Sequence, residues 1–342
     1  MTTIQKLSKY VQVLADMYIP KKLHPRFVTG VTALGTSALS SLNANGRSLA
    51  ENRWTGESRV RRMVTDVRFP ALLLKTVVKE FLPHTRQLRL SLDHSTFGTF
   101  TIAVFALSAG KGRALPVWCV VTRTGKGHKL LKPLLKGFKL LLDQLSYQQR
   151  KRVVVVMDRW FAIPDLLEYL DGEHIGFVVR LKQDTPLGVP WVEPYLTTTA
   201  GEVSLLDTSV TYHGHEWRLV RSTLRAGMKS EEPWFLLTNI SAQKLTRQQV
   251  LCTYAKRFEI EEHFKDIKWI ERYEWHQMRK LETARTVFMF VFFGWWLLLK
   301  AYRGAKDHPQ TRKTHPKKQL SWFRTIWEYW QRLRTQPLFG TS

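Results

Sequence analysis

Cysteine is nearly absent. Cys119 and Cys252 are the only two, too few for a disulfide scaffold or a cysteine zinc site. Each has apolar neighbours and reads as a buried, reduced thiol. Acidic residues are scarce as well: 28 Asp and Glu stand against 53 Lys and Arg, giving a formal net charge of +25. A charge excess of that size repels itself, and a polyanionic partner is the usual reason to tolerate it. Nucleic acid is the first candidate and an anionic membrane surface the second. Long hydrophobic runs are missing too. The most apolar stretch, "VFMFVFFGWWLLL" at 287–299, would span about 20 Å as a helix, short of the ~30 Å hydrocarbon layer. It is expected to be a buried core helix rather than a membrane span. The first twenty residues lack the charged-then-apolar order of a signal peptide, so a cytoplasmic chain is expected. No internal repeat is present.

What the chain does have is material for a core. Hydrophobic residues make up 44% and aromatics 12%, with 13 tryptophans, which excludes a disordered polycation. Small ribosomal or architectural proteins share the charge but not this aromatic content. Residues 1–85 read as helical, with polar breaks at 43–46 and at Thr55–Gly56. The stretch "ESRVRRMVTDV" is predicted as a helix capped by Thr55 or Ser58 and ending before Pro70. It carries Arg59, Arg61 and Arg62, and short helices with a basic last member suggest a DNA-end-binding region of helix-turn-helix type. A helical bundle with a solvated basic face fits the same pattern.

The period then changes. "QLRLSLD" (87–93), "TFTIAVFAL" (99–107) and "LPVWCVV" (115–121) are strands joined by glycine-containing turns, an antiparallel meander. A helix follows at 129–145, then the buried strand "RVVVVMD" (152–158), the short helix "IPDLLEYL" and the strand "GFVVRLK" (176–182). The order β-β-β-α-β-α-β is that of an α/β, ribonuclease-H-like mixed-sheet core. The expected organisation is a helical region over 1–85, the first part of the core over 86–182, a β-rich insertion over 183–245, the last part of the core over 246–300, and a basic, partly helical tail over 301–342.

Asp93 ends the first apolar strand and Asp158 the fourth. A carboxylate at the end of a buried strand is costly unless it is paired or binds a metal, and in such a sheet these two strands are neighbours. A third acid comes from "YAKRFEIEEHFKDIK" (254–268). Read as one helix, it places Tyr254, Arg257, Glu261 and Lys268 within an arc of about 60°, with Lys265 beside them and Glu259 and His263 facing away. An Arg257–Glu261–Lys265 ladder of surface ion pairs would give the same pattern.

The spacing Tyr-x2-Arg-x3-Glu-x6-Lys resembles the YREK signature of bacterial DDE transposases of the insertion-sequence-four group. Tyr254, Arg257, Glu261 and Lys268 match at every interval. Asp93 and Asp158 stand where that family has its two aspartates, "MDR" resembles its second motif, and "FVVRLK" and "WFLLT" resemble segments of its β insertion. His94, directly after the first aspartate, departs from the family's more usual polar residue. The resemblance implies that Asp93, Asp158 and Glu261 hold two Mg²⁺ or Mn²⁺ ions for strand cleavage and transfer. It implies that Tyr254, Arg257 and Lys268 contact DNA phosphates, with Lys265, Arg180 and Lys182 nearby, and that Trp234 stacks on a base flipped from a hairpin intermediate. Transposon ends and target DNA are the implied partners, and a homodimer in a synaptic complex the implied assembly. A structure-selective nuclease of the same fold is the alternative.

Overall fold

Five residues set the middle of the sheet. "VVVVM" forms β4 (Val153–Met157), every residue buried, as a strand covered on both faces must be. The computed structural model describes residues 3–32, 53–82, 87–110, 113–123, 130–182, 185–187, 207–222, 234–270 and 278–304. β4 pairs in parallel with β1 (Leu88–Phe97) on one side and β5 (Gly176–Arg180) on the other. β1, β2 (Phe100–Gly110) and β3 (Arg113–Arg123) make the antiparallel meander that the alternation predicts.

β1 is longer than its apolar pattern suggests. It runs four residues past Asp93, because the hairpin with β2 holds it as far as Phe97 opposite Phe100. Gly98, at φ 56°, turns the chain there in the left-handed region that glycine enters without penalty. Asp93 therefore lies within a strand. What does end beside it is the parallel ladder with β4, whose last pair is Leu92 opposite Met157.

The β-rich stretch after residue 182 does not stand apart. Its strands β6 (Asp207–Tyr212), β7 (His215–Arg221) and β8 (Phe235–Thr238) extend the same sheet, with β8 antiparallel to β5. The order is β3-β2-β1-β4-β5-β8-β7-β6, eight strands in one sheet. Its first five strands carry the ribonuclease-H-like arrangement.

Helices cover the sheet. α5 (Leu131–Leu142) lies on β3, and after the single turn α6 (Tyr147–Arg150), α7 (Pro164–Gly172) lies on β5. α8 (Arg247–Ala255) packs on β4, β5 and β7, and α9 (Phe258–Ile270) on β1, β2 and β3. α10 (Leu281–Gly304) carries the apolar run and packs on β3. By length and composition its segment Leu281–Lys300 could cross a membrane, but 78% of that window is buried inside the protein. It is the core helix that its sequence predicts.

The N-terminal helices α1 (Thr3–Tyr18), α2 (His24–Gly30), α3 (Arg53–Val64) and α4 (Phe69–Glu80) share one hydrophobic cluster with α10 and the sheet. Phe27 meets Phe293 at 5.7 Å and Phe290 at 6.4 Å. A side chain at Gly30 would collide with the Phe290 ring, since a Cβ there falls 2.4 Å from it. α3 starts at Arg53 and runs through Thr55, Gly56 and Ser58, so neither Thr55 nor Ser58 caps it and no break falls at Gly56. Gly56 is buried within the helix. The break expected at 43–46 and the helix expected in the basic tail lie outside the described residues. Cys119 is buried, as expected, but Cys252 is exposed on α8, because α8 turns only one side to the sheet.

Candidate active site

Asp93 and Asp158 are the next residues on β1 and β4 after the ladder ends at Leu92 and Met157, so the two strands deliver them side by side. Each carboxylate is held by its own chain: Asp93 Oδ1 accepts from the His94 N–H and Asp158 Oδ1 from the Arg159 N–H, both at 2.7 Å. Asp158 caps a short 3₁₀ turn over Arg159–Phe161.

The third acid arrives on α9, but not as a single helix predicts. Residues 254–268 form two helices broken at Lys256–Arg257. The link is closed by bonds of three-residue span, Arg257 N–H to Tyr254 O at 2.8 Å and Ile260 N–H to Arg257 O at 3.1 Å. The turn drives Arg257 inward. Its side chain is 6% exposed and bridges two acids, donating from Nη1 to Asp93 Oδ2 at 3.2 Å and from Nη2 to Glu261 Oε1 at 2.5 Å. The predicted grouping of Arg257 with Glu261 holds, and Asp93 joins it.

Electrostatics mark the three acids as one cluster. Burial pushes the Asp93 carboxyl up to about 6. The Arg257 charge and the His94 N–H oppose that rise, while the charges of Asp158 and Glu261 add to it. Burial disfavours the Arg257 cation, yet Tyr254, Asp158, Glu261 and Asp93 together raise its pKa above the ordinary range. Among the described residues no three His, Cys, Asp or Glu side chains are gathered tightly enough to hold a metal ion; the positive charge at the centre is the guanidinium. The donor set is nonetheless all carboxylate oxygen, which suits a hard divalent ion. Asp93 and Glu261, which share the Arg257 cation, are the acids such an ion would meet if the guanidinium moved away.

The remaining predicted residues divide. Glu259 and His263, expected to face away from that group, are both buried: Glu259 accepts from Ser108 Oγ at 2.5 Å, and His263 is fully buried near Phe292 and Trp295. Lys265 pairs with Glu262 at 2.5 Å. Lys268 lies in α9, but its side chain lies outside the described residues. Arg180 ends β5 close enough to lower the Tyr254 phenol electrostatically, against the larger upward effect of burial. Lys182 is exposed two residues on. Arg59, Arg61 and Arg62 are exposed on α3, far along the chain, with Val60, Met63 and Val64 buried beneath.

Tyr254 is 1% exposed and Trp234 9%. Their rings meet edge to face at 5.0 Å, in a second small core between α8 and the sheet. Phe258 was not singled out by sequence. It is 45% exposed, 6.4 Å from the Trp234 ring, with the Arg257 guanidinium 5.0 Å from its own ring. Also unpredicted is the contact of His94 with Trp160, ring centroids 4.5 Å apart. The available signal was that an aromatic residue follows each aspartate within two positions.

Comparison with curated protein sequences finds no match. Among solved structures, the cryo-EM structure of piggyBac transposase in a synaptic complex with hairpin DNA is similar at 12% identity and a TM-score of 0.48, covering 99% of this chain and 79% of that one. The family model described as "Transposase DDE domain" matches residues 99–297, more than half of the chain. That span takes in Asp158, Arg257 and Glu261 and begins just after Asp93. The chain belongs to the DDE transposase family.

Proposed function

We propose that this protein is a cut-and-paste DNA transposase of the bacterial insertion-sequence-four group, in its YREK branch. On this reading it cleaves the ends of its element and joins the 3′-OH ends to target DNA. The observation that carries it is Arg257 held between Asp93 and Glu261, with Asp158 on the adjacent strand. Asp93, Asp158 and Glu261 are the residues that would hold two Mg²⁺ or Mn²⁺ ions. When bound, the ions activate the attacking water or 3′-OH and stabilise the leaving oxygen of a phosphoryl transfer.

The protein's own groups position the DNA. Arg257, once released from the carboxylates, offers a planar pair of donors to a phosphate. Tyr254 holds Arg257 from beneath. Lys268, Lys265, Arg180 and Lys182 add positive charge along the strand entering the site, and Arg59, Arg61 and Arg62 contact the element end. Trp234 stacks on a base flipped from a hairpin intermediate. The enzyme works as a homodimer pairing two ends, in the cytoplasm, on nucleoid DNA.

The test is cleavage and strand transfer on DNA carrying the inverted repeats that flank the gene. Asp93→Ala, Asp158→Ala and Glu261→Ala should each abolish cleavage while leaving end binding largely intact. Robust Mg²⁺-dependent cleavage by the Asp158→Ala protein would remove the assignment. Cleavage without joining would favour the structure-selective nuclease.

A further inference from the structure

His94 and Trp160 form a ring pair at the edge of the carboxylate cluster. Their ring centroids lie 4.5 Å apart and the rings are tilted by 36° to each other. Phe161, fully buried, stands edge-on against both, 5.0 Å from Trp160 and 5.7 Å from His94. It fixes the pair from behind. Neither ring is fully buried: the His94 side chain is 30% exposed and Trp160 is only partly covered.

The location gives the pair meaning. His94 directly follows Asp93 on β1, and Trp160 comes two residues after Asp158, on the 3₁₀ turn that Asp158 caps. Side chains alternate along a strand, so His94 leaves β1 on the side away from Asp93, although its Nδ1 still comes within 3.8 Å of Asp93 Oδ1. The rings thus form a ledge at the strand ends, next to the acids but across from Arg257. The turn under the ledge is rigid, held by Phe161 N–H to Asp158 O at 2.9 Å. A core reading would place aliphatic side chains here, as at Leu90 and Leu92 on the same face of β1. Two flat rings, partly open and fixed beside the reacting centre, suit a flat ligand.

We propose that the His94–Trp160 ledge is a nucleobase-stacking site that holds an unpaired base of the substrate DNA beside the phosphate to be cut. This rests on the transposase reading, which puts a DNA phosphate at the three acids. A base within a duplex is stacked on its neighbours and presents no free face, so the ledge takes a base that has left the helix. The ledge is on the other side of the strand ends from Trp234, and the two would hold different bases.

The experiment uses the full-length protein without divalent ions, so that no strand is cut. Two probes are compared: a blunt duplex and the same duplex with an unpaired fork carrying 2-aminopurine. The wild type should quench 2-aminopurine in the fork and prefer fork over blunt duplex by roughly ten-fold, the usual worth of one stacked base. Trp160→Leu and His94→Leu should each lose most of the quenching and the preference while still binding blunt duplex. Trp160→Phe should keep part, and Tyr147→Ala, an exposed aromatic on α6, should keep all.

If Trp160→Leu fails to fold, His94→Leu carries the test, since the His94 side chain is 30% exposed. Wild-type protein that binds both DNAs without preference or quenching overturns the ledge alone. Folded leucine variants that quench and discriminate like the wild type do the same. Failure of the wild type to bind either DNA overturns the transposase reading itself.

Discussion

Arg257 reaches across 164 residues of chain to Asp93, donating from Nη1 to Oδ2 at 3.2 Å, and shares its other nitrogen with Glu261. A buried guanidinium between two carboxylates offsets part of the repulsion that the acids would otherwise exert on each other. Removing one partner of such a buried group commonly costs roughly 3–5 kcal/mol.

Arg257→Gln should therefore lower the melting temperature in metal-free buffer. It should also remove the internal cation that any divalent ion has to displace. A ligand that binds only the folded state stabilises it more the tighter it binds at a given concentration, so Mg²⁺ or Mn²⁺ should raise the melting temperature of the variant more than that of the wild type. Equal shifts in the two proteins would mean that Arg257 does not compete for the carboxylates. The readout is thermal and needs no DNA cleavage.

Asp66 makes a second, structural charge cluster. It accepts from Arg68 Nη2 at 2.6 Å and Nε at 2.8 Å, and from Arg26 Nη1 at 2.9 Å, tying α2 to the turn between α3 and α4. Hydrogen bonds from Arg68, assisted by Arg26 and opposed by burial, hold its carboxyl down at about 2, against an ordinary aspartate value of 3.8. A carboxyl depressed in the folded state stabilises above its unfolded pKa and loses that contribution as pH falls through the folded one. The wild type should be more stable than Asp66→Asn by about 2 kcal/mol at pH 6. That gap should close between about pH 4 and pH 2 in urea titrations. A gap that persists at pH 2 would assign the stabilisation to something other than the ionised carboxylate.

Much of this site is legible in the sequence because strands and acids follow local rules. "VVVVMD" announces a buried strand with an acid at its end, and the expected grouping of Arg257 with Glu261 is kept across the break in its segment. The break at Lys256–Arg257 was not legible. It contains no Pro or Gly, and nothing nearby in sequence asks a helix to stop; the demand comes from Asp93, far away in the chain. The same holds for β1, whose extension past Asp93 is imposed by β2, and for the stretch over 207–238, whose strands join the main sheet because β5 offers an open edge. The Thr55 and Ser58 caps failed for a simpler reason: good capping residues are also tolerated inside a helix whose apolar face is buried.

The exposed arginines of α3 give a salt-dependent prediction. Arg59, Arg61 and Arg62 fan over the outward side of the helix above Val60, Met63 and Val64. Each phosphate neutralised contributes about 0.9 to the slope of log affinity against log salt. Replacing all three with Gln should flatten that slope by about 2–3 in anisotropy titrations on duplex DNA, with the fold intact because the buried face is untouched. A slope equal to the wild type would place the DNA elsewhere on the protein.

Trp234 decides between a stacking platform and a core residue. Its backbone is pinned to the end of β7, donating to Ser222 Oγ at 2.7 Å and accepting from the Ser222 N–H at 2.9 Å. Its ring supports Tyr254, and only 9% of the residue is exposed. The exposed Phe258 ring lies 6.4 Å from the Trp234 ring, tilted by 40°. If Trp234 is the platform, Trp234→Ala should still nick the element end but accumulate uncut hairpin, and Trp234→Phe should recover part of the turnover. If it only fills the core, losing an indole should cost about 3–5 kcal/mol of stability. Tyr254 and Arg257 would then shift together, and nicking and hairpin opening would fall in parallel. Measuring both steps alongside the melting temperature separates the outcomes, because stacking moves the ratio of the two rates and packing moves only their common level.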